Sequence, residues 1–453
     1  MKYTFAVLGV ALAITSGSAV AAVSTEEANQ LGTTLTRFGA NPSANADGSI
    51  PPYNPATAKI TPPSSYKPGS ARYPSPFEAE KPLFTITAQN MAQYAEKLDE
   101  GAKALLKRFP ETYKLNVYPT HRTAPYPAWV LDNTLRNATQ AKLINDQGDG
   151  VENAYGGIPF PIPKKGLEIL WNHLLAWQPT YEDQTAGYMV DSSGGVTTVG
   201  MNLGYFYTPY YNADKTALDG PNYRMMLNKA IGPARRAGEA ALSHYPMNYA
   251  EQAQNNWSYS PGQRRVRLAP EFTYDTPAAT YGGGIFWDEI FLFSGRPDKF
   301  DWKLVGKKEL YIPYNANDIP LSKPDDILGK KHLNPERVRW ELHRVWQVEA
   351  VLKPGQRHAY SKRIFSFDED SWRMVSAVGY DQAGEVYRAG YSGLFQVYDG
   401  DNSFMFNPFW VYDLSKGQYL ITPLWGDTGF LRPIKPRGPT ATTPSAMQGS
   451  GIR

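Results

Sequence analysis

Cysteine is absent from the 453-residue chain, and its absence removes several kinds of chemistry. Without thiols the chain has no disulfide, no thiolate nucleophile and no cysteine-bound metal. Histidine is also scarce: none of the six histidines stands in a His-Glu-x-x-His pattern. A structural metal site normally takes four ligands. We therefore expect no bound metal and no other cofactor.

A strong charge of one sign is missing as well. The 46 basic and 43 acidic residues leave a net charge of +3. Nucleic-acid-binding domains are usually strongly basic, so nucleic acid is not expected as a partner. The sequence has no Gly-x-Ser-x-Gly elbow, and Gly282-Gly283-Gly284 lacks the Lys-Ser/Thr of a phosphate-binding loop. These absences predict that the protein is not an enzyme.

No apolar run is long enough to span a membrane, which takes about 20 residues. The N-terminus instead has Lys2, an apolar stretch over residues 5–14, and the small-x-small sequence Ala19-Val20-Ala21. This order is typical of a secretory signal peptide. We predict a signal peptide over residues 1–21, cleaved after about Ala21. An exported chain without a lipid anchor is expected in the periplasm.

Proline, tyrosine and tryptophan are abundant, with 37 Pro, 30 Tyr and 11 Trp. So much proline argues against an all-helical bundle. The sequence predicts a mainly β fold with α: a curved antiparallel sheet, or open half-barrel, with covering helices and a Pro-rich N-terminal arm. The predicted segments after the signal peptide are an extended Pro-rich arm (22–82), a helical segment packing on the sheet (83–182), the half-barrel (183–436) and a flexible tail (437–453).

Two Pro-Gly turns separate runs in which apolar and polar residues alternate, the pattern of half-buried hairpins. On a strand, residues two apart point the same way. A single inner face of the sheet is therefore predicted to carry the hydrophobic ligand-binding side chains: Trp257, Tyr259, Val266, Leu268, Trp346, Val348, Leu352, Trp372, Met374 and Val378. The sequence leaves open whether this face lines a cavity or is a packed core.

The first hairpin has a predicted register in which Trp257 lies opposite Val266. A slip of one residue would turn Arg265 and Arg267 inward, and burying unpaired guanidinium groups is costly. The arginines on the two Pro-Gly hairpins are expected to form a solvated outer face. The alternative is docking to an anionic headgroup or an acidic partner through Arg264, Arg265 and Arg267.

Two acidic runs are candidates for glycosidase carboxylates, Asp288-Glu289 and Asp368-Glu369-Asp370, but solvated turns are the favoured interpretation. Before the first run, Gly282 to Gly284 is predicted to be a mobile joint. Residues 287–293 would then form a short lid.

Several strings resemble an exported proteobacterial family, the domain of unknown function 1329. The most specific are Gly156-Gly157-Ile158-Pro159-Phe160-Pro161-Ile162-Pro163, Trp171-Asn172-His173-Leu174 and Pro261-Gly262-Gln263-Arg264-Arg265-Val266-Arg267. The family is similar to outer-membrane lipoprotein-sorting proteins, the periplasmic carrier and its receptor. The resemblance implies an open half-barrel closed by helices over an apolar cavity. It also implies an envelope partner, either a resistance-nodulation-division type transporter or an outer-membrane protein.

The function expected from these features is a periplasmic carrier for a lipid-like or other hydrophobic molecule, working with an envelope transport system. A glycan-binding protein or glycoside hydrolase is an alternative, and it needs Trp257, Trp346 or Trp372 on an exposed platform. A structural partner of an envelope complex is the third hypothesis.

Overall fold

The computed structural model describes residues 23–269 and 272–448. The predicted signal peptide lies outside these described residues. Within them, no helix combines the length and the apolar character needed to cross a membrane.

Strands dominate the described part of the chain. They are β1 (Phe84–Ile86), β2 (Leu115–Val117), β3 (Lys142–Leu143), β4 (Val151–Glu152), β5 (Tyr181–Val190), β6 (Val196–Tyr207), β7 (Asn222–Gly232), β8 (Ala240–Pro246), β9 (Asn255–Ser260), β10 (Arg265–Leu268), β11 (Phe300–Pro313), β12 (Arg339–Leu352), β13 (Lys362–Asp368), β14 (Met374–Tyr380), β15 (Val386–Ser392), β16 (Phe395–Val397), β17 (Phe404–Phe406), β18 (Phe409–Asp413), β19 (Gln418–Leu424) and β20 (Phe430–Pro433).

The α-helices of the described residues are short, and five of the eight precede β5 in the sequence. They are α1 (Thr25–Ala28), α2 (Pro55–Ala58), α3 (Glu100–Arg108), α4 (Ala128–Gln140), α5 (Gly166–Leu174), α6 (Asp318–Leu321), α7 (Pro324–Ile327) and α8 (Pro444–Gln448). The sequence predicts α3 well, because Asp99 caps it by accepting a hydrogen bond from the Ala102 amide.

Sixteen strands belong to one sheet, in the order β1-β2-β12-β13-β14-β15-β18-β19-β5-β6-β7-β8-β9-β10, with β11 added beside β12 and β20 beside β5. Neighbouring strands are antiparallel except for the short parallel contact of β2 with β12. The two ends of this order, β1 and β10, do not pair, so the curved sheet stays open. The predicted fold class, a mainly β chain with an open antiparallel sheet, is confirmed.

The predicted hairpins β9–β10, β12–β13 and β14–β15 are all present. The turn after β12 contains Gly355 with a φ of 79°, a left-handed value that glycine adopts without strain. The positions of these hairpins are therefore predicted correctly from the sequence.

The sheet has two differently covered faces. The inner face is defined by side chains of the largest hydrophobic cluster, such as Phe206, Val348 and Phe365, and α5 packs on it. The outer face is covered by α3 beside β14 and β15, and by the C-terminal residues beside β8 to β10.

The ends of the chain differ from one another. Residues 23–82 form an arm with little regular structure apart from α1 and α2. Residues 439–448, expected to be part of a flexible tail, form a 3-10 turn and α8. Met447 is buried in a cluster with Leu242 and Tyr259, so the prediction of a loose tail is wrong for these residues. The prediction failed because polar composition does not reveal that one apolar side chain anchors the segment.

Candidate functional site

The ten residues predicted to share one face are divided between both faces of the sheet. Trp346, Val348, Leu352, Trp372 and Met374 belong to the inner-face cluster or pack against it. The other five lie on the outer face: Trp257, Tyr259, Val266, Leu268 and Val378. The prediction of one common face is therefore wrong, although each hairpin is real.

A β-bulge places Val378 on the outer face. Ser376 pairs with Ser366, but Met374 pairs with Phe367, so one extra residue interrupts the alternation between Met374 and Ser376. A bulge turns the following side chains to the opposite face. Val378 consequently packs under α3, where a Cβ on Gly101 would lie 3.2 Å from its Cγ2 atom.

The first hairpin lies in a different register from the predicted one. Tyr259 pairs with Val266, and Trp257 pairs with Leu268, because the loop between the strands has four residues instead of two. On the neighbouring strand β8, the outer-face residue Leu242 lies opposite Trp257. The four apolar residues still share one face, but that face is the outer one.

The arginines of this hairpin are exposed, as expected, but not on the predicted outer face. On the second Pro-Gly hairpin, Arg344 and Arg363 are buried and paired with carboxylates, so the expected solvated arginine face is wrong there. Arg265 and Arg267 project on the same side of the sheet as Asn256, which pairs with Ser243 on the inner side. The burial argument used for the register does not apply here, because β10 is the edge strand and its side chains stay in water. Docking of a headgroup by Arg264, Arg265 and Arg267 stays a prediction.

The inner face is filled by the protein itself. Gly166 of α5 lies directly over Val348, where an added Cβ would be 2.9 Å from Cγ1. Trp372 is fully buried and lies parallel to Trp346, with ring centroids 6.4 Å apart. Two small spaces touch this face, and each has a volume of only about 10 Å³. The geometry therefore resembles a packed core over most of the face.

A segment after the three glycines closes the middle of the inner face. We call residues 286–293 the plug. All of them are buried except Phe291, which is half-buried. Phe291 and Leu292 have φ angles of 57° and 70°, a left-handed conformation that is strained for bulky side chains. The segment predicted to be a lid is thus packed on the sheet, and its movement stays a prediction.

Ion pairs hold the plug on the sheet. Asp288 accepts a hydrogen bond from Arg363 of β13 at 2.9 Å and contacts His358 at 3.0 Å. Glu289 pairs with Arg388 of β15 at 2.5 Å. Although burial alone would raise the pKa of Asp288, the charges of Arg363 and His358 lower it below its ordinary value. Asp288 is therefore ionised, and both plug carboxylates are paired with arginines of the sheet.

The favoured interpretation of both acidic runs as solvated turns is wrong. Asp368, Glu369 and Asp370 are almost completely buried. Asp370 accepts two hydrogen bonds from Arg122, at 2.8 and 2.6 Å. Burial and the neighbouring Asp370 charge raise the pKa of Asp368 to about 7.

Three of these residues could together approach a metal ion. One ligand atom each from His343, Asp368 and Asp370 lies within 4.8 Å of the others. The Arg122 guanidinium already neutralises Asp370, however, and the His343 ring also contacts Glu341 at 3.1 Å. Asp370 and His343 therefore already have partners, whereas the Asp368 Oδ1 atom makes no hydrogen bond among the described residues.

An open apolar space lies elsewhere, between the arm, the start of α4 and the loop at residues 400–403. We call it the arm groove. It has a volume of about 830 Å³ and is lined by Gly32, Thr33, Leu35, Thr36, Arg37, Phe38, Pro42, Tyr53, Pro55, Ala58, Lys59, Pro125, Tyr126, Pro127, Ala128, Trp129, Leu131, Gly400, Asp401, Asn402 and Ser403. Small-molecule sites usually have volumes of about 300–1,000 Å³.

Aromatic rings form one wall of the arm groove. Phe38 lies parallel to Tyr126 at 4.6 Å and meets Tyr53 edge-on at 5.1 Å. The hydroxyls of Tyr53 and Tyr126 donate to backbone carbonyls at 3.0 and 2.7 Å. Because their polar ends are already bonded to the protein, these rings present apolar surface to a guest.

The polar groups of the groove lie mainly at its rim. Arg37 pairs with Asp132, and Lys59 lies 4.0 Å from Asp401. These side chains are substantially exposed, so their charges remain hydrated and do not have to be buried when a ligand enters.

Sequence reasoning located neither this groove nor the buried arginines of the inner face. The groove joins an irregular arm to a helix far away in the sequence, and no periodic pattern marks such a contact. None of the three tryptophans required for a glycan platform is exposed: Trp372 is fully buried, and Trp257 and Trp346 are half-buried.

Comparison with known proteins gives a clear family match. Residues 85–448 match the model described as a protein of unknown function, DUF1329. The uncharacterized protein PA3922 of Pseudomonas aeruginosa is 39% identical over 421 residues, covering 90% of each chain.

Two solved structures are similar in part. A DUF1329 family protein from Desulfovibrio piger has a TM-score of 0.41 and 16% identity over 62% of this chain and 97% of its own. A LolA superfamily protein from Nitrosomonas europaea has a TM-score of 0.36 and 10% identity over 62% of this chain and 98% of its own. At these scores neither likeness carries an argument about function.

Proposed function

Starting from a chain that belongs to the DUF1329 family, we propose a periplasmic binding or carrier protein whose arm groove holds a lipid-like or other hydrophobic molecule. The observation that carries the proposal is the groove itself, about 830 Å³ in volume and walled by Phe38, Tyr53, Tyr126 and Trp129. The proposed activity is binding and not catalysis.

The wall of the groove suits an extended apolar guest. Rings whose hydroxyls are already bonded offer their faces without leaving a polar atom unpaired. Trp129 meets the buried Trp177 edge-on at 5.6 Å, so its ring has a fixed orientation before a ligand arrives. Preorganisation of this kind reduces the entropy lost on binding.

The inner face is not the binding site in this proposal. The ligand role predicted for Trp346, Val348, Leu352, Trp372 and Met374 stays a prediction that requires the plug to leave the sheet. Breaking its buried ion pairs would expose charges to an apolar environment, which is costly. Ligand entry through the arm groove avoids that cost.

A single pair of variants tests the location of the site. N-phenyl-1-naphthylamine, which fluoresces in apolar surroundings, would be titrated into delipidated protein and displaced with palmitate. We expect Trp129→Ala to weaken binding about tenfold, equivalent to about 1.4 kcal/mol.

The matched control is Val348→Ala on the inner face. Removing two buried methyl-sized groups should lower the free energy of unfolding by about 2 kcal/mol and leave binding unchanged. Unchanged binding in Trp129→Ala together with weaker binding in Val348→Ala would move the ligand to the inner face and contradict the proposal. Native mass spectrometry of protein from its own periplasm would identify the cargo, and absence of any apolar ligand would count against a carrier.

The proposed carrier acts with an envelope transport system, a partnership that the family resemblance implies. Crosslinking in intact cells followed by purification tests this part. Recovery of a resistance-nodulation-division type transporter or an outer-membrane protein is the expected result. A protein that remains uncrosslinked and monomeric would contradict it.

A further inference from the structure

Two arginines of the inner face line one small enclosed space. Arg224 of β7 and Arg373 before β14 are only 6% and 5% exposed. The space between them has a volume of about 10 Å³, and its wall also contains His173, Gln178, Leu174, Tyr181, Phe206, Phe291, Phe293 and Asn407. The plug closes it through Phe291 and Phe293.

Neither arginine has a carboxylate partner within 4 Å among the described residues. The Nε and Nη2 atoms of Arg224 and the Nε atom of Arg373 make no hydrogen bond there. The Nδ2 atom of Asn407 is also without an acceptor. Arg373 uses only its Nη2 atom, which donates to the Trp177 carbonyl at 2.9 Å and to Gln178 at 3.0 Å.

Other buried arginines of this protein are paired. Arg363 has Asp288, Arg388 has Glu289 and Asp413, and Arg122 has Asp370. An ionised group buried without a partner costs several kcal/mol even after the structure relaxes. Two such groups facing one space also repel one another, so the arrangement lacks a negative charge.

In the part of the chain that the structure describes, no side chain lining the space supplies that charge. Burial raises the pKa of Tyr181 well above its ordinary value, so its hydroxyl stays neutral. His173 accepts a hydrogen bond from the Met374 amide at 3.0 Å, and burial lowers its pKa. Asp183 is the nearest inner-face carboxyl along β5, and burial raises its pKa to about 8, which keeps it mainly protonated at neutral pH.

We propose that Arg224, Arg373 and Asn407 form an internal site for one small monatomic anion of the halide class. The unpaired donors supply the ligands, and a space with room for about one water-sized particle sets the size limit. Arg224 is further held by the faces of Tyr245 and Phe291, at 4.4 and 5.5 Å, which fix its guanidinium at the site. The site is independent of the arm groove.

Bromide tests the site directly, because its anomalous scattering locates it in crystals. We expect one bromide peak between the two guanidinium groups. In solution, thermal unfolding would be followed at constant ionic strength while gluconate is replaced by chloride, bromide or formate. Chloride and bromide should raise the unfolding midpoint by a few degrees, since an ion that binds only the folded state stabilises it.

Arg224→Met should remove the halide response, and its midpoint in gluconate should equal or exceed that of the wild type because an unpaired buried charge is gone. The matched control Arg265→Met, at the exposed sheet edge, should keep the full response. If Arg224→Met does not fold, the presence or absence of the bromide peak in the wild type still tests whether a halide binds at this site. Absence of that peak, a halide response equal in both variants, or a response to formate alone would each overturn the proposal.

Discussion

The inner face and the arm groove are both lined with aromatic rings, yet the protein fills the first and leaves the second open. On the inner face the chain brings its own plug, with two carboxylates that pair with sheet arginines. At the groove the ion pair Arg37–Asp132 lies at the rim, where both side chains contact water.

Because the ion pairs of the plug are buried and those of the groove rim are hydrated, the two regions are expected to control different properties of the protein. Ion pairs of the plug are buried, so removing one partner leaves a charge stranded in an apolar environment. Rim pairs remain hydrated, so each is worth little. Substitutions at the inner face should therefore act on folding, and substitutions at the groove should act on ligand affinity.

The largest expected effect comes from breaking the plug's ion pair. Asp288→Asn would remove the negative charge that pairs with the buried Arg363 guanidinium and leave that cation without a carboxylate partner. We expect the free energy of unfolding to fall by about 3–5 kcal/mol. Chemical denaturation measures it.

Asp132→Asn is the matched control at the groove rim, where the Asp132 side chain is 66% exposed. Its cost should be below about 1 kcal/mol. Equal costs for the two variants would show that the plug is hydrated and would remove the contrast between the regions.

A pH series tests how burial on the inner face affects a carboxyl group. The group is Asp183, whose Oδ1 atom is buried without a hydrogen bond among the described residues. Burial raises its pKa from 3.8 to about 8 in the folded protein. Between these values the unfolded chain releases a proton that the folded protein keeps, so rising pH destabilises the fold. One proton gives a loss of about 1.4 kcal/mol per pH unit.

Asp183→Asn removes this loss. The stability of the variant relative to the wild type should therefore increase steadily from pH 5 to 7, as measured by urea denaturation at each pH. Asp191→Asn is an exposed control: a hydrogen bond from Ser193 lowers the pKa of that carboxyl, so it is ionised in both the folded and the unfolded state from pH 5 to 7 and its removal should leave the pH dependence unchanged. Parallel pH profiles of Asp183→Asn and the wild type would refute the argument.

The smallest effect is expected at the open edge of the sheet. Arg265 is exposed and has no ion pair among the described residues, so Arg265→Ala should change the free energy of unfolding by less than about 0.5 kcal/mol. Binding to vesicles containing anionic phospholipid would test its predicted docking role at the same time. A loss of vesicle binding would support that role, and unchanged binding would contradict it.

The sequence predicted the hairpins more reliably than the faces they present. Alternation located β9–β10, β12–β13 and β14–β15, since a period of two is a local property of each strand. Assigning all of them to one inner face failed for β9–β10, whose apolar residues lie on the outer face, and for Val378 of β14. The extra residue between Met374 and Ser376 reversed the alternation, and no residue type announces such a bulge.

The other failures concern burial of charge. Polar runs such as Asp368 to Asp370 usually indicate solvated turns, but here Arg122 and the arm enclose them. Arg224 could have been noticed as a cation directly before the apolar residues Met225, Met226 and Leu227 of β7. The lack of a carboxylate partner for Arg224 could not be predicted, because partners come from segments distant in the sequence.

By itself, then, the sequence determined the class of fold, the family and the positions of the principal hairpins. Each depends on local spacing or on a specific string of residues. Only the tertiary structure decided which face of the sheet each side chain joined, that the plug fills the inner face, and that the open apolar space lies beside the arm. These outcomes depend on contacts between segments far apart in the chain, where the free energy of burying a ring or pairing a charge is set by whichever segment arrives opposite it.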